Sequence, residues 1–136
     1  MRITSDDGKS WLEIELEDDD DYPAFTLRTV VELWHGRFSG ENSDIRFLNM
    51  SEFSDELDRF ILDRSIVPQL VGSDDSCIKI SQGRTLDAIL CNFTLGDTCW
   101  HSTKTRFDYQ LSGTIAIHQE DLNRIVAFCR NPRPDT

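Results

Sequence analysis

The sequence of 136 residues predicts an α+β fold, a curved or two-layered antiparallel β-sheet of about six strands with two helices, at about 51–64 and 120–130. Several segments alternate apolar and polar residues with a period of two, which is typical of half-buried strands, and two others repeat apolar residues at helical spacing. The strand segments follow one another through short turns. This order indicates hairpins in an antiparallel sheet rather than parallel βαβ units.

The first half of the chain contains three predicted strands. Residues 11–16 (WLEIEL) alternate apolar residues with glutamate, and residues 25–34 (FTLRTVVELW) extend the same pattern. A tight turn is predicted at His35 and Gly36, because glycine adopts positive φ without steric cost. A third strand is predicted in RFSGENSDIRFL, with a bulge at Gly40.

Helical spacing appears in residues 51–64 (SEFSDELDRFILDR), with Ser51 as the predicted N-cap. The pattern then returns to strands in CIKIS, TLDAILCNFTL and FDYQLSGTIAI, and the second of these is predicted to break at Gly96 and Asp97. Helical spacing returns over residues 120–130, which with Gln119 before them read QEDLNRIVAFCR. The predicted order is therefore two similar groups, each of about three strands closed by one helix.

The whole chain, 1–136, is predicted to be a single domain, with an acidic N-terminal hairpin region at 12–25 and a short disordered tail at 132–136. Its 38% hydrophobic and 10% aromatic residues are typical of a globular protein. The start, MRITSDDGKSW, has no apolar signal segment, and no apolar run is long enough to span a bilayer. We therefore expect a cytoplasmic protein without a membrane partner.

The charge balance is strongly acidic, with 25 Asp and Glu against 14 Lys and Arg and a formal net charge of −11. Such a chain repels phosphate backbones, and no segment gathers enough cations to form a local basic patch, so nucleic acid is not expected as a partner. An acidic field favours fast encounter with a basic protein. The sequence therefore predicts a basic protein partner, and it leaves the oligomeric state open.

The acidic run EDDDDYP is the most distinctive local feature of the sequence. It lacks the glycine and the distal bidentate glutamate of a calcium loop, so we interpret it as a solvated hairpin end that can also contact a cationic protein. Acidic residues on the first helix offer an equivalent strip, and one tryptophan out of phase with its strand is a candidate anchor. The candidate partner-binding residues are Glu17, Asp18, Asp19, Asp20, Asp21, Trp34, Glu52, Asp55 and Glu56.

The segment DTCWHS contains the weak metal candidates Asp97, Cys99 and His101, which alternate to one side of an extended strand. Carboxylate, thiolate and imidazole suit zinc, but the site would need a further ligand that no spacing supplies. The favoured interpretation is a packed cysteine beside an exposed histidine. No cofactor is expected, and no residue is assigned a catalytic role.

The segments HGRFSGENSDIRFLNMSEFSDELDRFI and FDYQLSGTIAIHQEDLNRIVAFC carry a family resemblance. The first has turns around a strand that leads into a helix, and the second joins a long alternating strand to a terminal helix. Over roughly Phe25 to Cys129 the chain resembles the WapI-type immunity proteins of bacterial contact-dependent toxin systems, and related bacterial families. The chain departs from that pattern in the acidic leader, Glu17 to Asp21, and in the linker, Ser65 to Asp75.

The resemblance implies a small cytoplasmic protein that binds and neutralises a toxin domain, often a nuclease, and that needs no cofactor. Our first hypothesis is therefore a non-enzymatic, acidic, immunity-like protein-binding module. A second hypothesis is a small metal-dependent hydrolase built on Asp97, Cys99 and His101. A third is a structural or interaction domain of a larger assembly.

Overall fold

The computed structural model describes residues 1–18, 21–100 and 106–133, and within them every side chain except those of residues 18, 98–100, 106 and 107. The first half contains strands β1 to β4 and helix α1, at Arg2–Thr4, Trp11–Asp18, Ala24–Leu33, Gly36–Ile45 and Met50–Leu62. The second half contains strands β5 to β8 and helix α2, at Gln69–Val71, Cys77–Gln82, Ile89–Trp100, Arg106–Ile117 and Gln119–Arg130.

The predicted α+β class with two helices is confirmed, and so is the two-layered alternative for its antiparallel strands, whereas the strand count is corrected. The described chain forms two four-stranded antiparallel sheets, ordered β1-β2-β3-β4 (sheet 1) and β5-β6-β7-β8 (sheet 2), rather than one sheet of about six strands. The two additional strands, β1 and β5, are each three residues long. A strand of three residues is too short to show the alternation of apolar and polar residues by which strands are predicted.

Sheet 1 corrects two local predictions. The β3–β4 turn consists of Trp34 and His35, one residue earlier than predicted, because Gly36 already pairs within β4. Gly40 pairs regularly, so the bulge predicted there is wrong. The irregularity lies further along β4, where Asp44 adopts a φ of 55°. Aspartate is one of the few residues that adopt this left-handed conformation readily.

Sheet 2 is built around the long hairpin of β7 and β8. These strands pair without interruption from Ile89 with Ile117 to Trp100 with Arg106, so the break predicted at Gly96 is wrong. A Cβ atom at Gly96 would lie 3.0 Å from a backbone carbonyl oxygen of β8. Glycine thus allows close backbone contact within a continuous strand.

The helices and both sheets enclose one continuous apolar core. Helix α1 buries the predicted stripe of Phe53, Leu57 and Phe60, and it begins one residue earlier and ends two residues earlier than predicted. Neither helix in the described ranges is long and apolar enough to cross a bilayer. The largest fully buried side chains are Phe25, Phe53, Phe60, Ile3, Leu12, Leu27, Ile45, Leu57, Leu70, Ile80, Ile89 and Leu95.

A buried amide joins the two sheets. Asn42 of β4 donates from Nδ2 to the Gly96 carbonyl oxygen at 2.9 Å, and its Oδ1 accepts from the Tyr109 hydroxyl at 2.8 Å. Close contact also occurs at Gly40 of β4, where a Cβ atom would lie 2.8 Å from Cδ2 of Leu111 on β8. The β3–β4 hairpin is therefore fixed against β7 and β8.

Candidate protein-binding site

The acidic run includes the end of β2 and the residue Asp21, which shortly precedes β3. The two strands pair antiparallel with a register shift at Glu17, which is exposed, and Asp21 at the start of the return strand is exposed too. Asp18 is the last residue of β2, and its side chain is outside the description. Asp19 and Asp20 lie outside the described residues.

Tyr22 follows the acidic run and is 76% exposed. The Tyr22 backbone carbonyl accepts a hydrogen bond from the Arg46 guanidinium, which also contacts the Asp44 carboxylate at 3.4 Å. Arg46 thereby ties the β2–β3 connection to the end of β4. The ring of Tyr22 is consequently presented to solvent from a connection that is fixed at its backbone.

The acidic residues of α1 divide into paired and unpaired groups. Arg130 of α2 contacts the Asp55 carboxylate at 3.7 Å and the Asp58 carboxylate at 2.6 Å. Glu52 is exposed and Glu56 is half-buried, and neither forms an ion pair in the part of the chain that the structure describes. The predicted helix strip therefore keeps Glu52 and Glu56 as its uncompensated charges.

The start of α1 and the acidic run lie at the same end of sheet 1. Phe25 pairs with Ile45, and the ring of Phe47 packs 5.2 Å from that of Phe25, just before α1 begins. Leu48 follows Phe47 in this extended stretch and is 75% exposed. We call this surface the acidic end, and it comprises Glu17, Asp21, Tyr22, Leu48, Glu52 and Glu56.

Trp34 lies at the opposite end of sheet 1. It is 97% exposed, in the turn that follows β3. The ten residues of β3 separate it from the acidic end, and at about 3.3 Å per residue that distance is roughly 30 Å. The structure therefore divides the predicted partner-binding residues between two separate surfaces. Trp34, Leu33 and Phe38, all more than half exposed, form the hairpin tip.

The outer face of sheet 1 also carries many carboxylates, but they are paired. Arg28 contacts the carboxylates of Glu15 at 2.7 Å, Glu13 at 3.3 Å and Glu41 at 3.5 Å, and Arg2 contacts Glu13 at 3.0 Å. The hydrogen bond to Glu15 is the largest of the contributions that raise the pKa of the Arg28 guanidinium. This face is consequently a compensated network, unlike the acidic end.

An open groove of about 820 Å³ lies between the hairpin tip and sheet 2, and its lining extends from the β8 edge through β7 and β6 to Gln69 of β5. Its lining includes Leu33 and Phe38 of the hairpin, and Lys79, Asn92 and the β8 segment 110–114 of sheet 2. Thr114 Oγ1 donates to Asn92 Oδ1 at 2.9 Å, so the polar side chains of the groove are ordered by cross-strand hydrogen bonds. The sequence reasoning did not find this groove.

The metal candidates are only partly within the described structure. Asp97 is exposed on β7, Cys99 lies on β7 with its side chain outside the description, and His101 is outside the described residues. The described side chains contain no group of three His, Cys, Asp or Glu residues that could hold a metal ion. The metal hypothesis for these residues stays a prediction.

Cys91 is a buried thiol and Cys129 is a partly buried one. Burial raises the pKa of the Cys91 thiol to about 12, and the nearby charge of Asp121 adds to the effect. Burial also raises the pKa of the Cys129 thiol to about 12, although the charge of Arg130 opposes it. A thiol with such a pKa is protonated at neutral pH and is a poor nucleophile.

Comparison of the chain with protein-family models, curated proteins and solved structures gave no match. The resemblance to immunity proteins therefore stays a prediction, and the function must be argued from the surfaces of this chain. Sequence reasoning located the charges of the acidic end but missed its apolar members, Tyr22 and Leu48. The available signal was a tyrosine directly after the acidic run and a leucine just before the helix.

Proposed function

We propose that the chain is a non-enzymatic, acidic protein-binding module, an immunity-like protein that neutralises a toxin domain such as a nuclease. The observation that carries the proposal is the composition of the acidic end. Uncompensated carboxylates at Glu17, Asp21 and Glu52 surround two side chains, Tyr22 and Leu48, that are about three-quarters exposed. This surface suits a cationic partner with an apolar centre.

The two components of the acidic end have different physical roles. Carboxylates raise the rate of encounter with a cationic surface, because opposite potentials steer diffusion. An aromatic or aliphatic anchor that becomes buried slows dissociation instead. Arg46 holds the backbone of Tyr22 in place, so little ordering of the ring is required on binding. The same surface would cover a cationic nuclease site and exclude its polyanionic substrate.

The test uses the protein encoded by the adjacent gene, which is where we expect a cognate toxin. Its association rate with this chain is measured by stopped flow at several salt concentrations. We expect a Glu17→Gln/Glu52→Gln variant to associate about threefold to tenfold more slowly at low salt, because steering weakens with the local field. We expect Tyr22→Ala to raise the dissociation rate instead.

The matched control is Asp87→Asn/Glu120→Gln, which removes the same charge from exposed residues on the β6–β7 connection and at the start of α2. It should leave the association rate close to that of the wild type. Equal slowing by both double variants would show that net charge acts without a defined surface. Equimolar zinc that Cys99→Ser abolishes, together with turnover by the pure chain, would favour the hydrolase alternative.

A further inference from the structure

Strand β8 forms an edge of sheet 2, and part of that edge is open. Residues of an antiparallel strand alternate between bonding to the neighbour and pointing their N–H and C=O away from it. The carbonyl of Ala116 points away from β7, since it accepts from the Asp6 backbone N at 3.0 Å. By alternation Gln110, Ser112 and Thr114 point the same way, and all three are exposed. Their backbone groups have no partner among the described residues.

The open edge, residues 110–114, lies in a stretch without charge. Residues 109–117 (YQLSGTIAI) contain no Asp, Glu, Lys or Arg, whereas 29% of the chain is charged. Natural sheets protect exposed edges with charged side chains, proline or bulges, because an unprotected edge pairs with another strand. Segment 110–114 has none of these protections in its sequence or pairing. It is therefore a template for an added strand.

The groove beside the open edge has apolar walls on its hairpin side. Leu33 is 63% exposed and Phe38 is 53% exposed, and both line the groove together with the open edge. Val31, on the same face of the hairpin, already packs against β8, because its Cγ2 would lie 3.2 Å from a Cβ at Gly113. Leu33 and Phe38 can contact alternate side chains of an added strand, which is how such complexes gain specificity.

Carboxylates gather where the open edge ends near Ala116. Asp6, Asp7 and Glu32 line a cavity of about 230 Å³ beside residues 114–116. Asp6 lies 3.2 Å from Nε2 of His118, and Asp7 accepts from Ser5 Oγ at 2.6 Å, so both carboxylates have a local partner. Glu32 has no ion pair within the described ranges. A cation in an added strand would be attracted to this corner.

Carboxylates also flank the other end of the open edge. The Tyr109 hydroxyl donates to the Glu41 backbone oxygen at 2.9 Å. Asp97 is the cross-strand partner of Tyr109. Partial burial raises the pKa of Tyr109, and the charges of Asp97, Asp74 and Glu41, which also contacts Arg28 at 3.5 Å, add to that rise. Within the groove itself, Lys79 and Asp75 carry opposite charges. The open edge is therefore uncharged along its length and acidic at both ends.

We propose that the open edge binds an extended segment of a partner protein as an added strand, a segment with apolar residues at alternate positions and Lys or Arg at both ends. A second copy of this chain fits less well. Antiparallel pairing of two copies centred on Ser112 would place the Tyr109 end of one copy, near Asp74 and Glu41, opposite Ile115 of the other, where Asp6, Asp7 and Glu32 lie, and like charges would repel. This surface is at the hairpin-tip end of the molecule, so the proposal does not rest on the acidic end.

The test uses the full chain labelled with ¹⁵N and two capped peptides, Lys-Thr-Val-Thr-Val-Thr-Lys and its counterpart with Glu at both ends. Hydrogen exchange is followed for single amides. With the Lys peptide we expect new protection at Gln110, Ser112 and Thr114. The amides of Leu111 and Gly113 serve as internal controls, because they already face β7.

Two substitutions at one position separate backbone pairing from side-chain contact. Ser112→Pro removes an outward N–H and is expected to weaken binding of the Lys peptide by about fivefold to tenfold. Ser112→Ala keeps that N–H and should bind within about twofold of the wild type. If Ser112→Pro does not fold, Phe38→Ser replaces it, since that side chain is half exposed. Phe38→Ser should then weaken binding of the Lys peptide.

Three results would overturn the proposal. The first is unchanged exchange at Gln110, Ser112 and Thr114 with saturating Lys peptide. The second is equal binding of the Glu peptide, which would remove the charge requirement. The third is self-association in sedimentation equilibrium with protection of the same three amides as concentration rises, which would make a second copy the occupant.

Discussion

Asn42 is a buried amide, 4% exposed, that hydrogen-bonds to both β7 and β8. Asn42→Ala would leave the Gly96 carbonyl oxygen without this donor and remove one of the two acceptors of the Tyr109 hydroxyl, since the Glu41 backbone oxygen remains. We expect it to lower the free energy of unfolding by about 2 kcal/mol, measured by urea denaturation. Tyr109→Phe removes a hydroxyl whose one proton is shared between Asn42 Oδ1 and the Glu41 backbone oxygen, and at this partly exposed site it should cost about 1 kcal/mol. Equal stability of Asn42→Ala and wild type would contradict this role.

The buried thiols predict a dependence of stability on alkaline pH. Cys91 and Cys129 have pKa values of about 12 in the folded chain, whereas an exposed thiol titrates near about 8.5. Between these values the folded chain holds more protons than the unfolded chain. The free energy of unfolding should therefore fall as pH rises, by up to about 1.4 kcal/mol per pH unit for each thiol.

The measurement is denaturation of wild type and Cys91→Ala/Cys129→Ala at a series of pH values from neutral to alkaline. The double variant loses core packing, so only the slope against pH is compared. Its decline above about pH 9 should be shallower than that of the wild type. Parallel declines would show that these thiols are not buried in the folded chain.

Residues of the acidic end differ in how far sequence could predict them. The five-acid run is visible in the letters, and so are the glutamates of the helix. Leu48 is exposed next to Phe47, whose ring packs on Phe25, and Tyr22 is exposed in the connection between β2 and β3, so neither exposure follows from residue type alone. Arg130 contacts the Asp55 carboxylate at 3.7 Å, although the two residues are 75 positions apart in the sequence (130 − 55). No local pattern predicts that contact.

At the scale of elements, the long alternating strands and both helices are predictable because burial of one face fixes their periodicity. β1 and β5, at three residues each, are too short to show it. The order of elements predicted two similar groups of strands, but it left a single curved sheet and two layers both open, because alternation identifies strands and not their neighbours. The bulge lies at Asp44 rather than Gly40, because Gly40 is needed where the hairpin approaches Leu111 of β8.

The close approach of β3 and β8 gives a prediction for Gly113. A Cβ atom there would lie 2.7 Å from Phe93 Cζ and 3.2 Å from Val31 Cγ2. Gly113→Ala should therefore lower the free energy of unfolding by about 1–3 kcal/mol, as overpacking does. The control is Gly36→Ala, whose added methyl would meet Phe38 at an ordinary 3.4 Å.

Gly36→Ala should change the free energy of unfolding by less than about 1 kcal/mol in either direction. Thermal or urea denaturation of both variants beside the wild type is sufficient for the comparison. If Gly113→Ala were as stable as Gly36→Ala, the sheets would have to be further apart than described. Sequence alone did not identify this contact, because Gly113 occupies a regular position in an alternating strand.

At the scale of the molecule, charge and apolar surface are distributed unequally. The outer face of sheet 1 pairs its carboxylates with arginine, whereas the acidic end leaves Glu17, Asp21 and Glu52 without ion pairs among the described residues. The hairpin tip presents Leu33, Trp34 and Phe38 at the far end. Composition predicted that the electrostatic field of the chain is negative. Only the fold shows that the acidic end and the hairpin tip are separate surfaces. Two surfaces would allow one partner to be held at two places, or two partners to bind.

We propose that this chain acts by covering another protein, and an inhibition titration tests that proposal. The product of the adjacent gene is assayed for its own activity, nuclease activity first, while purified wild-type chain is added. We expect complete loss of that activity near one equivalent, and incomplete loss with the Glu17→Gln/Glu52→Gln/Tyr22→Ala variant at the same concentration. Unchanged activity at excess wild-type chain, or equal inhibition by both proteins, would contradict it.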